Sequence, residues 1–117
     1  MTTIAAVRIA TDGTVTDLQV PAADPARRVA LAEQLGWPCE YAHYGRMHGD
    51  RLLAVTVVVE ENSQYTQPMN ELASALADKV RGERLPYYLC GPVVAAGYPG
   101  DGEPGDQPAE VRALLNP

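Results

Sequence analysis

Phenylalanine is absent from the 117-residue chain and Trp37 is its only tryptophan, so a core has to be built from Val, Leu, Ile, Ala and the tyrosines. β-Branched side chains suit a pleated surface, and this supply therefore favours a sheet. A chain of this length buries roughly two-thirds of the surface that its unfolded form exposes. We expect a single domain with one compact core.

Cysteine is scarce, since Cys39 and Cys90 stand alone and no Cys-x-x-Cys spacing occurs. This argues against a zinc ribbon, a redox motif and a secreted disulfide framework. The N-terminus "MTTIAAVRIATDG" lacks the charged start and long apolar run of a signal peptide. No stretch approaches the ~20 apolar residues that span a bilayer. These absences predict a soluble cytoplasmic protein with reduced thiols and no membrane contact.

Basic residues are also few, nine against fifteen acidic ones, which gives a net charge of −6. Such a balance disfavours a surface that neutralises nucleic-acid phosphates. A protein that mimics DNA is expected to spread its carboxylates over a folded face. Here the segment from Pro99 onward carries one basic and four acidic residues, half of the excess negative charge. We expect no direct nucleic-acid partner.

The first part of the chain predicts two hairpins with a helix between them. Asp12-Gly13 supplies the positive φ angles of a tight turn between strands over 4–10 and 14–20. Asp24-Pro25 is typical of a helix start, with Asp24 as the cap, and Gly36 ends that helix. The second hairpin joins "CEYAHY", residues 39–44, to "RLLAVTVVVE", residues 51–60, across the loop "GRMHGD". Because 51–60 is apolar on both alternating faces, we expect it to be central.

The second part predicts a helix and a last strand. Met69, Leu72, Ala73, Leu76 and Val80 form one apolar helical stripe that ends at Gly82. The last strand lies within 86–98, where the pair Gly91-Pro92 indicates a bulge or an edge position. The fold class is therefore α+β: one domain over 1–98, with two β-hairpins and a last strand in a mostly antiparallel sheet packed by two helices.

The C-terminal segment, residues 99–117, differs in composition. "PGDGEPGDQP", residues 99–108, predicts a flexible acidic linker that cannot bury itself. Residues 109–117 can form two helical turns with Val111, Leu114 and Leu115 on one side. The abrupt change after Tyr98 predicts that residues 99–117 are dispensable for folding.

The stretch "CEYAHYGRMHGD", residues 39–50, contains both histidines, one cysteine and two tyrosines. Strand alternation places Cys39, Tyr41 and His43 on one face and Tyr44 on the other, with His48 in the turn. The spacings Cys-x3-His and His-x4-His match no standard zinc pattern. We interpret the stretch as a strand and a turn, and expect neither a metal nor a cofactor.

The segment "VVVEENSQYTQPMNELASALADKV" is the most informative. A strand ends in an acidic pair, Asn70-x-x-Ala73-Ser74-x-Leu76 opens a helix, and "LCGPVVAAG" follows. This order resembles a family of small uncharacterised proteins, a domain of unknown function encoded largely by phages, plasmids and integrated elements. The family pattern is a strand, an acidic pair, Asn-Pro-x-Ala-Thr-x-Leu and an apolar strand with Gly-x-x-Val-x-x-Gly.

The resemblance covers about residues 1–97 and implies a fold and a mobile-element context but no activity. Glu71 stands where the family tends to have proline, and Ser74 where it tends to have threonine. Asn70 is interpreted as the cap of the second helix. Two alternatives remain: Thr66 with Pro68 can start that helix one turn earlier, or Asn70 lies exposed in a recognition loop.

Two functions follow from these patterns. The first is a non-catalytic interaction protein of a mobile element that binds a host or phage protein, since tyrosines suit interfaces. Its candidate binding residues are Tyr41, His43, Tyr44, His48, Tyr65 and Asn70. The alternative is a small enzyme or ligand-binding domain that uses His43, His48 and the pair Glu60/Glu61. That alternative requires at least two of these side chains to line one pocket.

Overall fold

We describe the protein from a computed structural model for residues 2–98, 104–106 and 109–115, which form five strands and four helices. The strands are β1 (Thr3–Ile9), β2 (Val15–Pro21), β3 (Cys39–His48), β4 (Arg51–Glu60) and β5 (Val93–Gly97). The helices are α1 (Ala26–Leu35), α2 (Ser63–Thr66), α3 (Glu71–Arg81) and α4 (Ala109–Leu115). Among the described residues, no helix is long and apolar enough to cross a membrane.

All strands belong to one antiparallel sheet of order β2-β1-β5-β4-β3. Both predicted hairpins are present, the first with Ile9 opposite Val15 and the second with His48 opposite Arg51. β5 joins the two hairpins by pairing with β1 and β4. The α+β class and the antiparallel sheet are thus confirmed.

The predicted edge position of the last strand is wrong, because β5 occupies the centre of the sheet. All of its residues, Val-Val-Ala-Ala-Gly, are buried. Gly91-Pro92 precedes β5 rather than interrupting it. Pro92, which has no backbone N–H to donate, therefore lies outside the hydrogen-bonded strand. Small apolar side chains on both faces let helices approach the sheet from two sides.

Helices cover both faces of the sheet. On the front face, α3 and α4 pack over strand residues such as Val7, Val55 and Val93. On the back face, α1 buries Leu31 and Leu35 against the opposite side of the same strands. The residues that β1, β4 and β5 contribute therefore alternate between two apolar clusters that share one sheet.

Helix starts differ from the sequence expectation at α1 and agree with it at α3. At α1 the N-cap residue is Pro25, and no side chain caps the helix with a hydrogen bond. The predicted Asp24 cap is therefore wrong. The Asp24 carboxylate instead lies 3.4 Å from Arg27 and 3.5 Å from Arg28. At α3 the Asn70 side chain accepts a hydrogen bond from the Ala73 amide, and the helix ends at Gly82, whose φ of 80° suits glycine.

The C-terminal segment contacts the sheet and the core. Gly105 exchanges two backbone hydrogen bonds of 2.9 Å with Gly97, and the Asp106 carboxylate accepts a 2.8 Å hydrogen bond from the Ala5 amide. In α4, Val111 is fully buried and Leu115 is 4% exposed. These contacts argue against the expectation that the segment is dispensable. The predicted linker, apart from residues 104–106, lies outside the described residues.

Candidate functional site

A cleft of about 160 Å³ opens on the front face, where β3 begins and β4 ends. β3 contributes Glu40, Ala42 and Tyr44, and the paired strand β4 contributes Val57 and Val59. These side chains share a face because alternate residues of a strand point the same way. The remaining walls come from the start of α2 and from the segment before β5: Glu61, Ser63, Gln64, Tyr87, Tyr88, Leu89 and Cys90.

The segment 87–91, which we call the strap, is held in place by the start of α3. The Asn70 amide donates to the Leu89 carbonyl at 2.7 Å, and the Asn70 side chain donates to the Gly91 carbonyl at 2.9 Å. The Ser74 hydroxyl accepts a 2.9 Å hydrogen bond from the Leu89 amide. The helix cap therefore also sets the position of the strap that presents Tyr87 and Tyr88 to the cleft.

Tyr44 and Tyr87 form a hydroxyl pair in the cleft. Their oxygens lie 2.8 Å apart, and either hydroxyl can donate. Tyr44 is 8% exposed, and its burial, reinforced by the hydrogen bond with Tyr87, raises the pKa of the Tyr44 phenol well above its usual value. The hydrogen bond between them uses one hydroxyl as donor, so the other hydroxyl can still donate to a bound group and both oxygens keep acceptor capacity.

The other polar groups of the cleft are two carboxylates and a serine. Glu40 and Glu61 are exposed, and no Lys or Arg is among the described lining residues. Ser63 is 4% exposed and lines the cleft, and its hydroxyl makes no hydrogen bond to another described residue. The cleft thus offers acceptors and aromatic rings, a combination that suits binding.

The structure separates most of the predicted binding residues. Tyr44 lines the cleft, whereas Tyr41 and His43 lie on the opposite face, as the alternation predicted. The Tyr41 ring centroid lies 5.8 Å from the Arg27 guanidinium carbon. His43 stacks on Tyr98 with ring centroids 4.0 Å apart, and its Nδ1 lies 3.0 Å from the Thr56 hydroxyl.

The remaining three predicted residues lie elsewhere. Tyr65 is 79% exposed on α2 and is absent from the cleft lining. His48 is the last residue of β3, so its predicted place in the turn is wrong; the turn is Gly49-Asp50. Asn70 is fully buried, which excludes the exposed recognition loop, and the alternative start at Thr66 is wrong because Thr66 ends α2.

The arrangement does not favour the enzyme alternative. Of His43, Glu60 and Glu61, the cleft contains Glu61, while His43 lies on the back face of the sheet. No described pair from this set lines one pocket, which is what acid–base chemistry between them requires. Within the described ranges, no group of three or more His, Cys, Asp or Glu is placed to hold a metal ion.

Sequence reasoning missed most of the cleft. The alternation that grouped Glu40 with Tyr44 was visible, but nothing in it indicated that Tyr87 and Tyr88 face the same space. That proximity depends on the strap, whose hydrogen bonds join residues 15 to 21 positions apart. Comparison with known proteins adds nothing to this geometry, since no family model, curated protein or solved structure matches the chain.

Proposed function

We propose that the protein is a non-catalytic binding protein of a phage or plasmid, and that its cleft recognises a host or phage protein. The tyrosine cluster Tyr44, Tyr87 and Tyr88 around the cleft carries the proposal. Tyrosine combines a large apolar ring with a polar tip and is enriched where proteins meet. The mobile-element origin rests on the family resemblance of residues 1–97.

The size of the cleft supports a protein partner rather than a cofactor. Pockets for drug-sized molecules usually measure about 300–1,000 Å³, whereas this cleft measures about 160 Å³. One side chain of a partner fits such a space. Two tyrosines at its rim, Tyr87 at 49% and Tyr88 at 56% exposure, remain available for further contact.

Selection of peptides from a random display library on the immobilised protein tests the proposal. We expect the enriched peptides to lose affinity about thirty-fold with Tyr88→Ala, the size of an interface hot spot. Tyr65→Ala is the matched control, because Tyr65 is exposed outside the cleft. Failure to enrich any peptide, or equal binding by wild type and Tyr88→Ala, contradicts the proposal.

A further inference from the structure

We infer that the group this cleft takes is the side chain of an arginine on the partner, an inference that rests on the proposed function. Glu40 and Glu61 supply the charge, the tyrosine rings supply flat surfaces, and the Ser63 hydroxyl that lines the cleft supplies an acceptor. Each feature matches a different part of a guanidinium group.

Charge selects a cation. Two carboxylates line the cleft with no basic side chain among its described lining residues, in a protein of net charge −6. The basic side chain that acts on Tyr44 is Arg81. Arg81 already lies 3.7 Å from the Glu83 carboxylate and donates to the Arg84 carbonyl at 3.1 Å. Within the described part of the chain neither Glu40 nor Glu61 forms an ion pair, so their charge is left for an incoming cation.

Shape and hydrogen bonding select arginine over lysine. A guanidinium is planar, stacks on aromatic faces and donates through five N–H groups in a fixed fork. An ammonium is a compact, strongly hydrated charge that gains less from tyrosine faces. Glu61 and Ser63 line the cleft with acceptor oxygens, and Tyr87 and Tyr88 line it with aromatic side chains. A single side chain also agrees with the cleft volume.

The Ser63 hydroxyl is the observation that distinguishes this cleft from an ordinary acidic surface. Ser63 is 4% exposed and lines the cleft, and its hydroxyl makes no hydrogen bond to another described residue. The hydroxyl is not one of the fully buried side-chain atoms that lack a partner, so it faces the open space of the cleft. A ligand N–H in the cleft can donate to this oxygen in place of water.

Titration with three pentapeptides tests the inference. The probes are acetyl-Gly-Gly-Xaa-Gly-Gly-amide with arginine, lysine or citrulline at Xaa. Binding is measured from the shifts of the protein's backbone amide signals in nuclear magnetic resonance spectra. Citrulline has the size of arginine without its charge. We expect the arginine peptide to bind with a dissociation constant of about 1 mM and to shift the amides of Ser63, Gln64 and the strap. The lysine peptide should bind about five-fold more weakly, and citrulline not measurably.

Two variants with the same change of charge provide the control. Glu61→Gln should weaken the arginine peptide about five-fold, as expected for the loss of one charge-assisted contact. Glu33→Gln, on the exposed face of α1, should leave the affinity unchanged. Equal binding of the arginine and citrulline peptides, no binding of the arginine peptide, or shifts confined to α1 overturns the inference.

The pentapeptide titration and the display selection together distinguish a wrong ligand from a wrong function. If display selection enriches peptides without arginine that still require Tyr88, the cleft binds a protein but the inferred ligand is wrong. If no peptide is enriched and the arginine pentapeptide does not bind, both the function and the ligand are wrong.

Discussion

Asn70 joins three parts of the fold through one side chain. Its Oδ1 accepts from the Ala73 amide at 3.1 Å, and its Nδ2 donates to the carbonyls of Ile9 and Gly91 at 2.9 Å each. A helix cap alone is worth about 1 kcal/mol. A buried carbonyl left without its donor costs about 1–3 kcal/mol more. Asn70 therefore fixes β1, the strap and α3 relative to one another.

We predict that Asn70→Ala lowers the free energy of unfolding by about 3 kcal/mol, more than the loss of a cap explains. Asn70→Asp should be comparably destabilising, because it keeps the acceptor but removes both donors. Asn62→Ala is the control, since Asn62 caps α2 without a side-chain hydrogen bond. Urea unfolding measures all three. A loss near 1 kcal/mol for Asn70→Ala would show that the two carbonyls find other donors.

Because the pKa of Tyr44 is raised in the folded protein, the free energy of unfolding decreases at alkaline pH. The unfolded phenol titrates near pH 10, whereas the folded phenol holds its proton to higher pH because it is buried. Above about pH 10 the unfolded state thus binds fewer protons than the folded state, and stability falls as pH rises. Below pH 10 this contribution is fully present.

We predict that the advantage of wild type over Tyr44→Phe shrinks between pH 9 and pH 11. The difference should fall by at most about 1.4 kcal/mol for each pH unit above the unfolded pKa. Tyr65→Phe, at a residue 79% exposed, should follow the wild-type pH dependence. Guanidinium unfolding at several pH values measures this, and parallel curves for wild type and Tyr44→Phe contradict the prediction.

At the scale of elements, α4 is the least expected part of the core. Its two inward residues, Val111 and Leu115, belong to the same apolar cluster as Leu76 and Val80 of α3. The composition of residues 99–108 predicted a linker, most of which lies outside the described residues. That composition carried no information about whether the short helix after it contacts the sheet, because such a contact depends on a distant apolar surface left uncovered by α3.

We predict that Leu115→Ala lowers stability by about 2–5 kcal/mol, the usual cost of truncating a buried leucine. Ala113→Gln, an exposed change in the same helix, should cost less than about 0.5 kcal/mol. Chemical unfolding of both variants decides whether α4 is part of the cooperative unit. A near-neutral Leu115→Ala would restore the expectation that the segment is dispensable.

Residues 104–106 contact the sheet at the point where the pairing between β1 and β5 ends. The register that pairs Val7 with Ala95 would bring Ala5 opposite Gly97. Instead Gly97 pairs with Gly105, and the Ala5 amide donates to Asp106. A carboxylate thus takes the place of a strand carbonyl for the Ala5 amide.

We predict that Asp106→Ala speeds hydrogen exchange of the Ala5 amide about five-fold, as expected for the loss of one hydrogen bond of about 1 kcal/mol. Asp106→Asn keeps an acceptor oxygen and should retain most of the protection. Exchange at Val7, two residues further along β1, is the internal reference. Unchanged exchange at Ala5 in Asp106→Ala would show that the carboxylate contact does not persist in solution.

For the whole molecule, local patterns predicted the elements and the two hairpin pairings, but not how β5 joins the hairpins in the sheet. Asp12-Gly13, the apolar run in 51–60 and the stripe in α3 each act within a few residues, so the sequence displays them directly. The central place of β5 depends on two hairpins offering one edge each. Its run of small apolar residues did carry a signal for burial on both faces. The cleft required the strap, which only tertiary hydrogen bonds define.

The two apolar clusters lie on opposite faces of one sheet, and β4 and β5 contribute to both. Removing a side chain from either face should therefore weaken the same cooperative unit. Leu31 of α1 is 2% exposed on the back face, and Leu76 of α3 is 1% exposed on the front face. Because no shared side chain links the two positions across the sheet, their effects should be independent.

We predict that Leu31→Ala and Leu76→Ala each cost about 2–5 kcal/mol, and that the double variant costs their sum within about 0.5 kcal/mol. Far-ultraviolet circular dichroism should report the same midpoint as fluorescence of Trp37, which follows α1 closely and is the only tryptophan. If Leu31→Ala lowers the Trp37 midpoint while the circular dichroism midpoint stays at its wild-type value, α1 unfolds separately from the sheet. In that case the back-face cluster is a local unit and the sheet with α3 and α4 is the cooperative core.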